Sequence, residues 1–143
     1  MTPKKLTAPQ VREVLKKIHF TGFLGVRLAA LHRDGLTLAC AIRKELLNSA
    51  EVLHGGVTAT LADAAAGVAL HYLLGSHRPI TTVEMKINYF RPASEGEIFA
   101  RAHLVRMGAT LCVGRVDITD ERRRMIGTAL ITYMILANRA TVS

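Results

Sequence analysis

The sequence predicts an α+β domain in which one antiparallel β-sheet wraps around a long central α-helix. Two observations carry this. The run VTATLADAAAGVALHYLLG, opened by Gly55-Gly56 and closed by Gly75, is rich in Ala and Leu and apolar nearly all the way round, the pattern of a helix covered on most sides. After Pro79 the chain alternates in four segments joined by short polar connections, the pattern of an antiparallel meander. With 143 residues, half of them hydrophobic, the chain buries about two-thirds of its surface around one core without staples. One domain over residues 1–143 is expected, with residues 1–20 as a helical extension.

The elements follow in order. Pro9 to Phe20 places Val11, Val14, Leu15 and Ile18 at a helical period, with Arg12, Lys16 and Lys17 opposite, and predicts one amphipathic helix packed over the domain end. GVRLAALH and LTLACAI flank Arg33-Asp34-Gly35, a hairpin signal, with the second strand ending near Arg43. Leu46 to Val52 is irregular, and the long helix follows. The four strands are Thr81 to Phe90, Glu97 to Met107, Leu111 to Thr119 and Met125 to Leu136, separated by RPASEG, a Gly108 turn and DERRR. Strict alternation in the first of them puts Glu84, Lys86 and Asn88 on one face and Val83, Met85, Ile87 and Tyr89 on the other.

Composition narrows the function. The formal net charge is +8, yet residues 46–77 carry two acidic side chains and no Lys or Arg, so the basic excess avoids the central helix. No nucleic-acid reading module is present and too few residues precede the first strand to hold one, so no nucleic-acid partner is expected. The longest stretch free of Asp, Glu, Lys and Arg, Ala64 to His77, already contains two histidines, and no membrane span is expected. Met1 to Lys5 is polar with no apolar run behind it, which predicts no secretory signal and a cytoplasmic location. Cys40 and Cys112 are read as buried free thiols. The six histidines show neither HxxxH nor HExxH spacing, so no metal site is predicted.

Asp63 is the sharpest residue, a carboxylate inside TLADAAAGVAL. Burying a charge is costly unless it is paired or used. Asp63 therefore either occupies the one wet stripe of the helix or hydrogen-bonds to a neighbouring turn, or else serves as a base or nucleophile. His54-Gly55-Gly56 stands just before the helix, where unpaired N–H groups suit an anion or a developing oxyanion. Seven residues separate Gly56 from Asp63, roughly 10 Å along a helix axis. A single reacting centre does not reach both, so if both act they come from two chains related by a two-fold axis.

Asn48, His54-Gly55-Gly56, Asp63, the strand Thr82-Val83-Glu84-Met85 and the turn Arg91-Pro92-Ala93 up to Gly96 together resemble the hotdog-fold acyl-CoA thioesterases. Within these they resemble the phenylacetic-acid-degradation branch and the related human thioesterase superfamily members. The likeness covers roughly residues 20–138 and rests on N-x5-HGG-x6-D followed by a T-V-E-M strand. It implies hydrolysis of an acyl-CoA to free acid and CoA in a homodimer or dimer of dimers, a homotetramer in the latter case, with CoA as part of the substrate and no cofactor. It further implies Asp63 as base or nucleophile, the Gly55 N–H as oxyanion donor, Asn48 and His54 as positioning groups and Thr82 as the hydroxyl that orients water. Substrate contacts are implied at Gly56, Arg91, Arg106, Gly108 and Thr110.

One departure stands out. Many relatives follow the strand-turn glycine with Lys or Arg, where a CoA phosphate is met, whereas here Ala109 follows Gly108. Arg91, Arg106 and Arg122 to Arg124 are the candidate replacements, although the Arg triplet also reads as a solvated turn beside Asp120 and Glu121. Leu61, Val68, Leu70, Tyr72, Leu73 and Tyr89 are candidates for an apolar acyl pocket. Two other readings remain within this fold, a hotdog protein that binds acyl-CoA without turnover and a hydratase or dehydratase.

Overall fold

The computed structural model describes residues 2–138. It opens on two helices where the sequence predicts one. α1 (Ala8–Lys16) starts at a capping box in which Gln10 N–H donates to the Thr7 hydroxyl and Thr7 N–H donates to the Gln10 side chain, satisfying two orphan donors at once. It ends at Lys17, and Ile18 adopts an extended conformation that caps α2 (His19–Leu24). The Thr21 hydroxyl donates to the Ile18 carbonyl at 2.9 Å, which holds the corner. α2 ends at Gly25, whose φ of 74° is open to glycine at little cost. The apolar period from Val11 to Ile18 is thus shared by two helices that change direction, a break that periodicity alone does not register.

β1 (Arg27–His32) and β2 (Gly35–Ala41) form the hairpin, with β2 ending two residues before Arg43. A short 3-10 turn at Lys44–Leu46 leads into the loop before α3 (Gly55–Leu74). β3 (Ile80–Tyr89), β4 (Glu97–Met107), β5 (Leu111–Asp120) and β6 (Met125–Ile135) complete one six-stranded antiparallel sheet in the order β1-β2-β4-β5-β6-β3. The last four strands are therefore not a simple meander. β4, β5 and β6 are, but β3 pairs with β6 at the far edge, and β4 takes the place beside β2. β4 alternates buried Ile98, Ala100 and Ala102 with less buried residues, whereas most of β3 is exposed, so burial of apolar surface puts β4 at the centre and leaves β3 at the rim.

α3 lies across β2, β4 and β5, and Leu61, Ala62, Ala65, Ala66, Ala69 and Leu70 are fully buried between helix and sheet. Alanine along this face lets the helix approach the sheet closely. Gly114 of β5 shows how closely: a Cβ there would stand 3.2 Å from the Ala66 methyl. By length and composition α3 could cross a membrane, but 67% of its most apolar window is buried inside the domain, so its apolarity is spent on the core. Cys40 and Cys112 are buried free thiols, and burial pushes both above the usual thiol range.

Candidate active site

Asp63 is half-buried, near the middle of α3. Its Oδ1 accepts from the Thr82 hydroxyl at 2.9 Å and from the Tyr133 hydroxyl at 2.6 Å. The Tyr133 hydroxyl also meets the Asp63 backbone carbonyl. Among the described residues no donor reaches Oδ2. Asp63 is thus half-buried and hydrogen-bonded, but to residues of β3 and β6 and not to a neighbouring turn. Tyr133 is 5% exposed. Burial, then the Asp63 charge, pushes its phenol far above the ordinary range, so it stays protonated and donates to the carboxylate.

Two backbone devices bring the three side chains together. Thr82 and Tyr133 are register partners across β3 and β6, and the register shifts between Thr82 and Glu84. Strict alternation would turn Thr82 to the same face as Glu84, away from the helix. The extra residue, Val83, absorbs one step, as bulges beside functional sites do, and Thr82 turns toward Asp63 while Met85 and Ile87 still face the core. The second device is Gly67, one turn after Asp63. A Cβ at Gly67 would lie 2.9 Å from the Tyr133 hydroxyl and 3.2 Å from its Cζ, so the glycine leaves the space the phenol occupies.

A second polar group forms at the start of α3. His54 is its N-cap, and Nδ1 accepts from Gly56 N–H at 2.8 Å, which leaves the ring proton on Nε2. Val57 N–H goes to the His54 carbonyl. The Gly55 N–H has no acceptor among the described residues. The Tyr89 hydroxyl donates to the Gly55 carbonyl at 3.0 Å, and a Cβ on Gly55 would stand 3.3 Å from the Tyr89 ring. Asn48 holds the preceding loop, its Oδ1 accepting from Ala50 N–H at 2.9 Å and more weakly from Val52 N–H at 3.4 Å. Its carboxamide oxygen is thus occupied locally and its NH2 group is left to meet a ligand.

The remaining sequence candidates fall in different places. Arg91 lines a cavity of about 350 Å³ together with Gly55, Tyr89 and Phe90. Gly56 commits its N–H to His54, and a Cβ on it would stand 2.9 Å from the His54 ring. Arg106, Gly108 and Thr110 stand at the β4–β5 turn, where Gly108 N–H donates to the Leu111 carbonyl and the Thr110 carbonyl accepts from Ile135 N–H. None of these three borders Asp63.

A cavity of about 370 Å³ opens beside Asp63 and runs along Thr60, Ala64, Gly67, Val68 and His71, one face of α3 at helical spacing. α2 closes one side with Phe20 and Thr21, and Pro79 and Ile80 close another. Of the expected acyl-pocket residues only Val68 lines it. Leu61 and Leu70 are fully buried in the core, Tyr72 donates to the His32 carbonyl, and Tyr89 belongs to the Gly55 cavity. Two features the sequence reading missed are Tyr133 and the wall made by α2. A tyrosine inside an apolar strand carries no local mark, while the mid-helix Gly67 is the one signal that some side chain enters there.

The family model described as thioesterase superfamily matches residues 50–126. Human acyl-coenzyme A thioesterase 13 is 34% identical over 78% of this chain and 83% of its own. The Escherichia coli medium/long-chain acyl-CoA thioesterase YigI is 27% identical over 91% of this chain and 97% of its own. Among solved structures, a thioesterase family protein from Silicibacter pomeroyi superposes with a TM-score of 0.84 at 28% identity, covering 92% of this chain and 98% of that one. The PaaI protein of the Escherichia coli phenylacetic acid degradation operon superposes with a TM-score of 0.82 at 17% identity over 92% and 94%, a likeness of fold.

Proposed function

The chain belongs to the thioesterase superfamily and is a thioester hydrolase with the hotdog fold, and from that premise we propose that it cleaves acyl-CoA with Asp63 as general base in a site shared by two subunits. The observation that carries this is the anchoring of Asp63 by one oxygen, with Oδ2 free beside a cavity suited to an acyl group. Oδ2 takes a proton from water, and the water oxygen attacks the thioester carbonyl carbon. Negative charge develops on the carbonyl oxygen, where the free Gly55 N–H and the positive end of α3 stabilise it. Collapse breaks the C–S bond, and the departing thiolate takes the proton back from Asp63, giving the free acid and CoA. A thioester has a good leaving group, so positioning, a base and an oxyanion donor suffice.

Gly55 and Asp63 are eight residues apart on one straight helix, about 12 Å, which supports a shared site. The exposure of β3 supports it too. This edge strand leaves Val83 and Tyr89 more than half exposed and is followed by Phe90 at 58%, a surface that invites pairing. A two-fold self-pairing about the middle of β3 brings the Thr82 end of one strand beside the Tyr89 end of the other, and so the Asp63 of one chain toward the Gly55 of its partner.

The test is complementation. Asp63→Asn and Gly55→Ala proteins, each of low activity, are unfolded and refolded together. In a shared site, one of the two sites of every heterodimer keeps both native groups, and the mixture recovers about a quarter of wild-type turnover. A mixture no more active than its parents overturns the shared site. An Asp63→Asn protein that releases CoA at the wild-type rate overturns Asp63 as base.

A further inference from the structure

We propose that Tyr133 is a positioning residue for hydrolysis: seated in the slot left by Gly67, it holds Oδ1 of Asp63 together with Thr82 and thereby selects Oδ2 as the oxygen that receives the proton of water. The inference rests on the reading of Asp63 as base.

Three observations converge on it. Both donors that reach the carboxylate arrive at the same oxygen, from β3 and from β6. A carboxylate on a helix surface ordinarily rotates about its side-chain bonds and exchanges its two oxygens. Two donors from adjacent strands, themselves fixed by sheet register, give it one position. The phenol in addition touches the Asp63 backbone carbonyl, so it lies between the main chain and the side chain of one residue and limits both.

The second observation is chemical. A hydroxyl that is buried and beside a carboxylate keeps its proton, so Tyr133 neither accepts nor delivers a proton in the reaction. What it can do is donate a hydrogen bond to the carboxylate and hold its position. The third observation is the glycine. Gly in a helix interior is less favourable than Ala, and no positive φ requires Gly67. Its purpose is the space filled by the phenol: a methyl group there collides with the Tyr133 oxygen at 2.9 Å. A cost in helix stability is thus carried one turn from the base, on the same face.

The experiment uses octanoyl-CoA and phenylacetyl-CoA, with release of thiol as readout and melting temperature as the check on folding. Tyr133→Phe is expected to lower kcat about 10-fold with KM within about twofold, the pattern of a lost effect on the reaction and not on binding. Gly67→Ala, which keeps the tyrosine and favours the helix, is expected to give a similar loss by displacing the hydroxyl. In the Tyr133→Phe background the same alanine is expected to cost little further, because no hydroxyl remains to displace. The proposal is overturned if Asp63→Asn abolishes turnover while Tyr133→Phe leaves kcat unchanged, or if the two losses multiply. Should the phenylalanine protein fail to fold, Gly67→Ala alone decides: an unchanged kcat then refutes the role. If Asp63→Asn itself retains full turnover, the reading of the base fails first and this inference with it.

Discussion

The two polar groups on α3 are built by opposite means. At its start, His54, Gly55 and Gly56 are consecutive, and the cap that organises them closes over two residues. At its middle, Asp63 meets Thr82 nineteen residues on and Tyr133 seventy residues on. The first arrangement is a local property of the chain. The second exists only when β3 and β6 are paired in one register, with a bulge in the right place and a glycine opposite. A helix N-terminus polarises whatever approaches it, so it needs little assembly, whereas a base must be aimed.

The strongest way to break this contrast is Asp63→Asn. Asparagine keeps the shape and an oxygen for Thr82 and Tyr133 to meet, but accepts no proton from water, and turnover on octanoyl-CoA is expected to fall about 10²-fold or more. A fall below tenfold in steady-state kcat ends the assignment of Asp63 as base. Gly55→Ala tests the other group and ranks next. Its backbone has no positive φ to forbid alanine, but the new methyl crowds the Tyr89 ring at 3.3 Å and shields the free N–H. A 10- to 100-fold loss in kcat is expected; full activity would mean that the helix start plays no part.

The same contrast explains what the sequence disclosed. The helix from Gly55 to Gly75 announced itself by its glycines and by an apolar surface with no polar side. Asp63 was conspicuous as the carboxylate within it, and HGG as the segment before it. What periodicity could not disclose was pairing. It put β3 beside β4, because neighbours in sequence are usually neighbours in a sheet, and it carried an unbroken period of two through Val83, where the register shifts. The role of Thr82 came from family resemblance and not from its register. Tyr133 was invisible because its partner lies seventy residues away, and the corner at Ile18 because α1 and α2 share one apolar rhythm.

The bulge gives the third prediction. Thr82→Ala removes one of the two donors on Oδ1 and is expected to lower kcat about 10-fold. Deleting Val83 removes the bulge and makes Thr82 the neighbour of Glu84, so regular alternation keeps Thr82 on the face of Tyr133 with its hydroxyl intact. The deletion should therefore cost less than the alanine. If it costs as much or more, the bulge does more than set the face of Thr82.

The smallest effect concerns His71, two turns beyond Asp63 on the same face, which sharpens the distinction between polar groups that act and polar groups that only fit. Its Nε2 donates to the Arg78 carbonyl at 2.8 Å, its Nδ1 is buried without a partner among the described residues, and its ring stacks on His77 at 4.7 Å. Burial first, and the neighbouring His77 next, holds the His71 imidazole below its ordinary value of 6.5. The unfolded chain therefore takes up this proton at a higher pH than the folded one. Stability contributed at neutral pH is lost as pH falls from about 6.5 toward the lower folded value, and no further loss from this group follows below it. Glutamine at position 71 can still donate to the Arg78 carbonyl but does not titrate. The drop in melting temperature between pH 7.5 and pH 5 should accordingly be smaller in His71→Gln than in the parent, with turnover at pH 7.5 changed little. An equal drop in both proteins would place the acid sensitivity elsewhere, and a large loss of turnover would move His71 from the supporting wall of the cavity into the chemistry itself.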